Sequence, residues 1–433
     1  MAPTSTTDSG TLIRNVRVFD SHAGTVGGPS QVVVRGGLVE TVAPAGVELA
    51  DAPGTVVDGD GGTVIPGLID AHWHSAFAAC PLQAALMGNV DFVHLLSGAA
   101  AGQTLQRGFT TVRDAGGPTF GLKQAIDAGI LPGPRIYPSG AMISQTGGHG
   151  DFRMLTEIPR GRIGSLSHSE LVGAVAIADG VDAVLRAARE QLMQGASQLK
   201  VMAGGGVASS YDPLDVTQYT EAEMHAAVEA AENHGTYVMV HAYTPRAVQQ
   251  AIRAGVRCIE HGQLLDDRTA AMMAEHDVWW SLQPFLDDED AVPVPAASMG
   301  KFHQMVAGTD HAFELAKKHG VRVAWGTDTL FDATLAAKQG KQLAKMTRWF
   351  TPAEVLTMAT ATNAELLALS GPRNPYPAAL GVVSEGAAAD LVVVHGNPLE
   401  DITLLADAAA NFTLVMKAGV VVKDATGAQA GLR

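Results

Sequence analysis

Cysteine is nearly missing from this chain: Cys80 and Cys258 are the two among 433 residues. So few cysteines make no disulfide framework and no thiolate metal site. Basic charge is also short, with 29 Lys and Arg against 44 Asp and Glu and a net charge of −15. That balance argues against nucleic acid or an anionic membrane surface as partner. A small charged substrate stays open, because a local site can oppose the global field. No uninterrupted apolar run approaches the roughly 20 residues of a membrane span. Residues 1–10 are polar and lack the apolar core of a secretory signal. A reducing cytoplasm is the expected compartment.

What is present suits a large core. Hydrophobic residues make up 47% of the chain, and the mean hydropathy is slightly positive. The length accommodates a full-size barrel plus a smaller domain. Thr11–Asp20 (TLIRNVRVFD) alternates apolar and polar residues like a half-buried strand. Residues 31–43 hold two more short strands, joined at a hairpin-type turn, Gly36-Gly37. Residues 389–394 and 412–422 are strand-like again, with a Lys-Ala-Gly turn in the second stretch. Strands at both ends predict one small β-sandwich domain built from both termini, residues 1–64 and 372–433. Residues 1–10 are expected to form a flexible tail.

The middle has another rhythm. Apolar runs at 64–72, 109–115, 135–141, 198–204, 236–242, 258–262, 278–284 and 321–328 alternate with Ala-rich helical stretches. Thr220 followed by Glu223 reads as a capping box, and Asn233-His-Gly235 as that helix's end. Eight strand-then-helix units predict an α/β fold, a (β/α)8 TIM barrel over residues 65–371. Active sites of such barrels lie at the C-terminal ends of the strands.

Those strand ends carry polar residues in runs that should be buried. The first ends in His72-Trp-His74, and positions i and i+2 of a strand face the same side. The pair therefore aims two imidazoles, common metal ligands, at one point. Lys200 sits in the apolar run QLKVMAG, His241 and His261 end the fifth and sixth strands, and Asp328 ends the eighth. Each has an ordinary explanation alone: a hydrogen-bonded core histidine, a helix cap, a lysine that snorkels outward. Six of them on one rim are hard to explain that way.

With these residues in place, the chain resembles the amidohydrolase superfamily of metal-dependent hydrolases. It is most similar to the imidazolonepropionase-like branch, which holds prolidase-like and Xaa-Arg/Lys carboxypeptidases and ochratoxin-hydrolysing amidases. The stretches TGGHGDF (146–152), LKVMAGGGVASSYDPLD (199–215), VHAYTP (240–245), AGVRCIEHG (254–262) and GTDT (326–329) carry the likeness. The resemblance implies two divalent metal ions, most often zinc. His72, His74 and Asp328 would hold the first, and His241 and His261 the second. Lys200, carboxylated to a carbamate, would bridge them. A lysine beside two cations is disfavoured as an ammonium, whereas a carbamate is an anionic ligand with two oxygens. Nitrogen and oxygen ligands suit zinc, manganese or cobalt. The resemblance implies Asp328 as general base, passing a proton to the leaving nitrogen.

Two residues read as substrate handles. His149 sits in a Gly-Gly-His-Gly loop, and Tyr243 lies two residues past His241 on the same face. In the resembling branch these positions contact substrate, with the tyrosine near a terminal carboxylate. The plain alternatives are a loop histidine bonded to backbone and a tyrosine packed in the barrel. Arg153 is a further candidate partner for a carboxylate. The Gly204-Gly-Gly206 run is read as a sharp turn past the metals, since it lacks the Lys-Ser/Thr of a phosphate loop. The TATNAE segment (360–365) is read as support for the eighth strand's loop.

The expected function is hydrolysis of an amide or peptide bond to a C-terminal amino acid. The substrate would be a small molecule with a free carboxylate: a dipeptide, an N-acyl amino acid or an ochratoxin-like amide. A deaminase or cyclic-amide hydrolase is the competing enzyme reading, and Lys200 counts against a deaminase with a single metal. Lactone or carbamate hydrolysis fits the same centre. A barrel that lost its chemistry would have lost ligands, and all six are present. The branch implies a homo-oligomer.

Overall fold

The computed structural model describes residues 10–158, 160–209 and 211–426. The expected N-terminal tail therefore lies almost entirely outside the described residues. Strands from both chain ends share one nine-stranded sheet. Thr11–Asp20 is its hub. It pairs antiparallel with Ser30–Arg35 and parallel with Thr55–Asp58 and Thr63–Pro66. Thr63–Pro66 then pairs antiparallel with Leu391–Val394, which continues to Phe412–Lys417 and Val420–Asp424. The hairpin after Ser30–Arg35 turns at Gly36 and Gly37, whose φ values of +58° and +79° are costly for any side chain.

The remaining strands run parallel. Leu68–Trp73, Phe109–Asp114 and Arg135–Pro138 form one sheet. Leu199–Met202, Val238–Ala242, Cys258–His261, Trp279–Leu282 and Val323–Trp325 form another, edged by Met142–Ser144 and Val175–Ile177. Two backbone hydrogen bonds join the sheets into a ring. Ser197 N donates to Pro138 O at 2.8 Å, and Asp328 N donates to His72 O at 2.8 Å. Strands covered on both faces read as continuous apolar runs, and almost every residue in these eight is buried. Helices cover the outside. Glu221–Asn233 starts at the predicted capping box of Thr220 and Glu223, and Gly235 follows it with φ +72°. The main core lies between strands and helices, with Trp280, Trp325, Phe109 and Phe313 fully buried.

Three expected strands differ. The apolar run 64–72 is two strands broken at Gly67: Thr63–Pro66 joins the terminal sheet and Leu68–Trp73 starts the ring. A Cβ on Gly67 would stand 2.0 Å from Thr110 Oγ1, so only glycine permits that crossing. The run 135–141 stops at Pro138, which has no N–H to extend the ladder. The eighth strand is only Val323–Trp325, so Asp328 lies beyond it. Asn363 holds this end, as the 360–365 reading anticipated. Its side-chain amide donates to Ile69 O (2.7 Å) and Trp325 O (2.8 Å), tying the first strand to the eighth.

Candidate active site

The six candidate ligands and the substrate handles line one cavity of about 620 Å³ at the C-terminal rim of the ring: His72, His74, His149, Arg153, Lys200, His241, Tyr243, His261 and Asp328. Asp328 lies against the first strand's histidines, with Oδ1 3.1 Å from His72 Nε2 and 3.2 Å from His74 Nε2. Ring centroids of His72 and His261 are 5.0 Å apart, and those of His241 and His261 4.5 Å. Ligand atoms of His72, His261 and Asp328 fall within 4.8 Å of one another, the spacing of a possible metal site. Lys200 is buried on the Leu199–Met202 strand.

Two of these candidate ligands use unusual backbone. His261 has φ +74° and Asp328 φ +52°, left-handed values that non-glycine residues rarely adopt. Neighbours in a strand normally face opposite sides. At His261 the left-handed residue ends that alternation, and both Glu260 and His261 reach inward. Such strain persists where the surroundings over-determine it, and it clusters at functional sites.

Each of the four imidazoles has one ring nitrogen engaged by protein. His72 Nδ1 lies 2.6 Å from Glu260 Oε2, and His74 Nδ1 2.9 Å from Gly116 O. His241 Nε2 lies 3.2 Å from Gly205 O, and His261 Nδ1 2.8 Å from Gln283 Oε1. The opposite nitrogen of each is thereby left for another partner. Metal-ligating histidines are held in this way, which sets tautomer and ring orientation. His72 Nε2 is buried and has no hydrogen-bond partner, despite its closeness to Asp328. An orphaned buried nitrogen facing a carboxylate and further imidazoles fits a divalent cation.

Electrostatics agree with a site short of water. Burial lowers the Lys200 pKa despite the carboxylates of Glu260 and Asp328, which weakens the amine's hold on its proton. Burial, then the neighbouring His149, His261 and Lys200, holds His241 well below its ordinary value. Burial also brings His261 down to about 3. At His72 burial and Lys200 oppose the charge, but Asp328 and Glu260 outweigh them and the pKa is raised. Burial pushes the Tyr243 phenol well above its ordinary value, with Asp328 adding to the effect, so it stays a hydroxyl.

Two readings gain detail. Arg153 lines the cavity and is buried there against Asp151, with Nε 2.8 Å from Oδ1. The Gly204–206 run, read as a sharp turn, also permits close approach. A Cβ on Gly205 would stand 1.8 Å from Pro213 O, and one on Gly206 2.0 Å from His149 Cε1. The structure also adds residues that the sequence reading did not single out. Glu260 and Arg113 form a fully buried pair at 2.7 Å beneath His72. Gln283 holds His261, and Ser209 and Asp212 hold His149. The one signal for Arg113 was a charge in a strand-like run (FTTVRD); Glu260, next to His261 in CIEH, gave none.

The amidohydrolase family profile matches residues 63–422. The ochratoxinase of Aspergillus niger is 33% identical over 332 residues, covering 74% of this chain and 67% of that one. A prolidase crystallised with N-methylphosphonate-L-proline superposes with a TM-score of 0.87 at 36% identity, over 96% of this chain and 100% of that one. A Xaa-Pro dipeptidase with methionine in its active site gives a TM-score of 0.81 at 27% identity, over 95% and 99% of the two chains.

Proposed function

The chain belongs to the amidohydrolase family and is a hydrolase acting on amide bonds; from that premise we propose a binuclear metal enzyme that releases a C-terminal amino acid from a dipeptide or N-acyl amino acid. The observation that carries this reading is the set of four imidazoles, each with one nitrogen engaged and the other left over. His72, His74 and Asp328 would hold one cation, zinc by preference, and His241 and His261 the other. Lys200 would bridge them as a carbamate, for which the burial that lowers its pKa prepares it. When bound, such cations acidify a water and polarise a carbonyl.

The chain's own groups do the rest. Asp328 carries a carboxylate held well below its usual pKa, against burial, by His72, His74 and His261. It accepts a proton during attack and returns it to the leaving nitrogen. Tyr243 keeps its hydroxyl proton and donates it to the substrate's terminal carboxylate. Among the described residues that hydroxyl meets only Met305 Sδ at 3.5 Å, a weak acceptor that a carboxylate displaces easily. His149 contacts the scissile amide. Phe77, Phe285 and Phe302 give the cavity an apolar wall that excludes water and receives a bulky acyl or side-chain group.

The prolidase and dipeptidase relatives support peptides as substrates, and the ochratoxinase relative supports N-acyl amino acids. The chain divides into a composite β-sandwich (1–64 and 372–433) and a barrel (65–371). Unpaired, buried Cys80 and Cys258 suit the cytoplasm, and no helix among the described residues is long and apolar enough to cross a membrane. A homo-oligomer would cover the exposed Met87, Phe92 and Leu95.

The test pairs metal analysis with a substrate panel. Zinc-loaded protein should hold about two ions per chain and cleave N-acyl amino acids. It should prefer them over their carboxamides by roughly 10- to 100-fold, the worth of a hydrogen bond to a charged group. Lys200→Ala should lose metal and activity together. Full activity and two bound ions in that variant would reject the bridge, and indifference to the terminal carboxylate would reject the substrate class.

A further inference from the structure

His149 is held from behind by a loop that the mechanism above does not use. Its Nδ1 lies 2.7 Å from Ser209 Oγ and 3.1 Å from Asp212 Oδ2. The Ser209 hydroxyl donates to Asp212 Oδ1, so its one hydrogen is spent and its oxygen can only accept from the ring. Asp212 is buried and its pKa is lowered, against burial, by His149 and Ser209, so it too can only accept. Nδ1 must therefore carry the hydrogen. The other nitrogen, Nε2, is left to the cavity that His149 lines. The ring lies flat on His241, with centroids 4.0 Å apart at 14°.

The loop is itself fixed. Lys301, on the helix Met299–His319, donates to three of its carbonyls: Gly206 O at 3.1 Å, Ser209 O at 3.0 Å and Asp212 O at 2.8 Å. Gly206 N donates to Asp212 Oδ2 at 2.7 Å, which turns the carboxylate toward the ring. The absent Cβ of Gly206 lets the ring press against backbone.

We propose that Asp212, seated by Ser209, Gly206 and Lys301, is a positioning residue that fixes His149 in the tautomer presenting Nε2 to the substrate amide. A carboxylate behind an imidazole does this in other hydrolytic sites by setting tautomer and orientation. The inference rests on His149 contacting substrate, so its test separates the two.

Crystal structures of Asp212→Ala and Lys301→Met should show the His149 ring displaced from its stack on His241. An undisturbed ring in Asp212→Ala overturns the proposal without any assay. Kinetics on the fastest substrate of the panel should give Asp212→Ala a loss of roughly 10- to 100-fold in kcat/KM. In a His149→Ala background the same change should cost nothing further. An equal cost in both backgrounds means that Asp212 acts by some other route, and the proposal falls. If His149→Ala is impaired and Asp212→Ala is not, positioning alone fails. If His149→Ala is fully active, the reading of His149 fails first. Should Asp212→Ala not fold, Asp212→Asn keeps the volume and one oxygen for Gly206 N and His149 Nδ1. Its NH2 then faces Ser209 Oγ, which loses its acceptor and is free to donate to Nδ1, so the tautomer is no longer fixed. Activity should fall toward that of His149→Ala, and full activity in Asp212→Asn would overturn the proposal.

Discussion

His72 shows how much one candidate ligand depends on what stands behind it. Its Nδ1 meets Glu260 at 2.6 Å, and Glu260 meets Arg113 at 2.7 Å, all three side chains being wholly buried. Arg113 also donates to Ala71 O at 2.5 Å, so the same chain of bonds grips the strand that carries His72. Glu260→Gln leaves one oxygen where two are used, and the amide must turn its NH2 toward His72 or Arg113. Metal affinity should fall about 10- to 100-fold, as for other groups behind a ligand, in a competition titration against a chelator; unchanged affinity would remove Glu260 from the ligand's support. Arg113→Met strands the Glu260 carboxylate in the core. It should cost about 3–5 kcal/mol in chemical denaturation of the metal-free protein. The candidate ligands that line the cavity were legible in the sequence, because a polar residue in an apolar strand stands out. Glu260 was not, because it precedes His261, and a regular strand points only one of two neighbours inward. The left-handed φ of His261 is a tertiary outcome that no local pattern announces.

At the scale of elements, the rhythm of strand and helix was legible but the ends of the strands were not. Gly67 splits one apolar run between two sheets, and the run's hydrophobicity is the same on both sides of the break. Asp328 sits at the rim beyond its strand, because residues after Trp325 leave the ladder and lie against the first strand. Gly326 makes that approach possible. A Cβ there would stand 2.4 Å from His72 N and 2.5 Å from His72 Cβ. The first strand cannot retreat, since His72 N donates to Asp70 Oδ1 at 3.0 Å and His72 O accepts from Asp328 N at 2.8 Å. Gly326→Ala should therefore open the rim between the first and eighth strands. The expected cost is about 1–3 kcal/mol of overpacking, with loss of metal occupancy alongside a lower Tm. Gly300→Ala is the control. It lies in the helix Met299–His319, where an added Cβ meets nothing within 4 Å, and it should stabilise by roughly 0.5–1 kcal/mol. Equal behaviour of the two variants would show that the rim tolerates the extra atom.

For the molecule as a whole, the terminal sheet and the ring are joined by charged groups that are partly out of water. Arg135, on the third ring strand, meets Asp390 at 2.8 and 3.1 Å. Asp390 also accepts from Ala418 N at 2.7 Å, and Lys417 reaches across to donate to Gly133 O at 2.7 Å. Sequence patterning placed strands at both ends but could not anticipate this seam, since its partners lie about 250 residues apart along the chain. The seam has a pH signature. Burial, with Arg135 nearby and only partly offset by Asp390, lowers the Lys417 pKa from 10.5 to about 8. Between those values the unfolded chain binds more protons at this site than the folded one, so stability gains with rising pH across the window. Below pH 8 both states carry the charge, and the cost of burying it is felt in full. Lys417→Met removes the titrating group and with it this slope. It also leaves Gly133 O without its donor, which shifts the whole curve by a constant and does not change its shape. The stability of the variant relative to the parent should therefore be greatest near pH 7 and decline steadily toward pH 10.5. Other groups titrate in both proteins alike, so they cancel in the difference. Urea unfolding of parent and variant at intervals from pH 7 to 10 measures it, and parallel curves would mean that Lys417 titrates as an ordinary surface lysine and the seam is open to water.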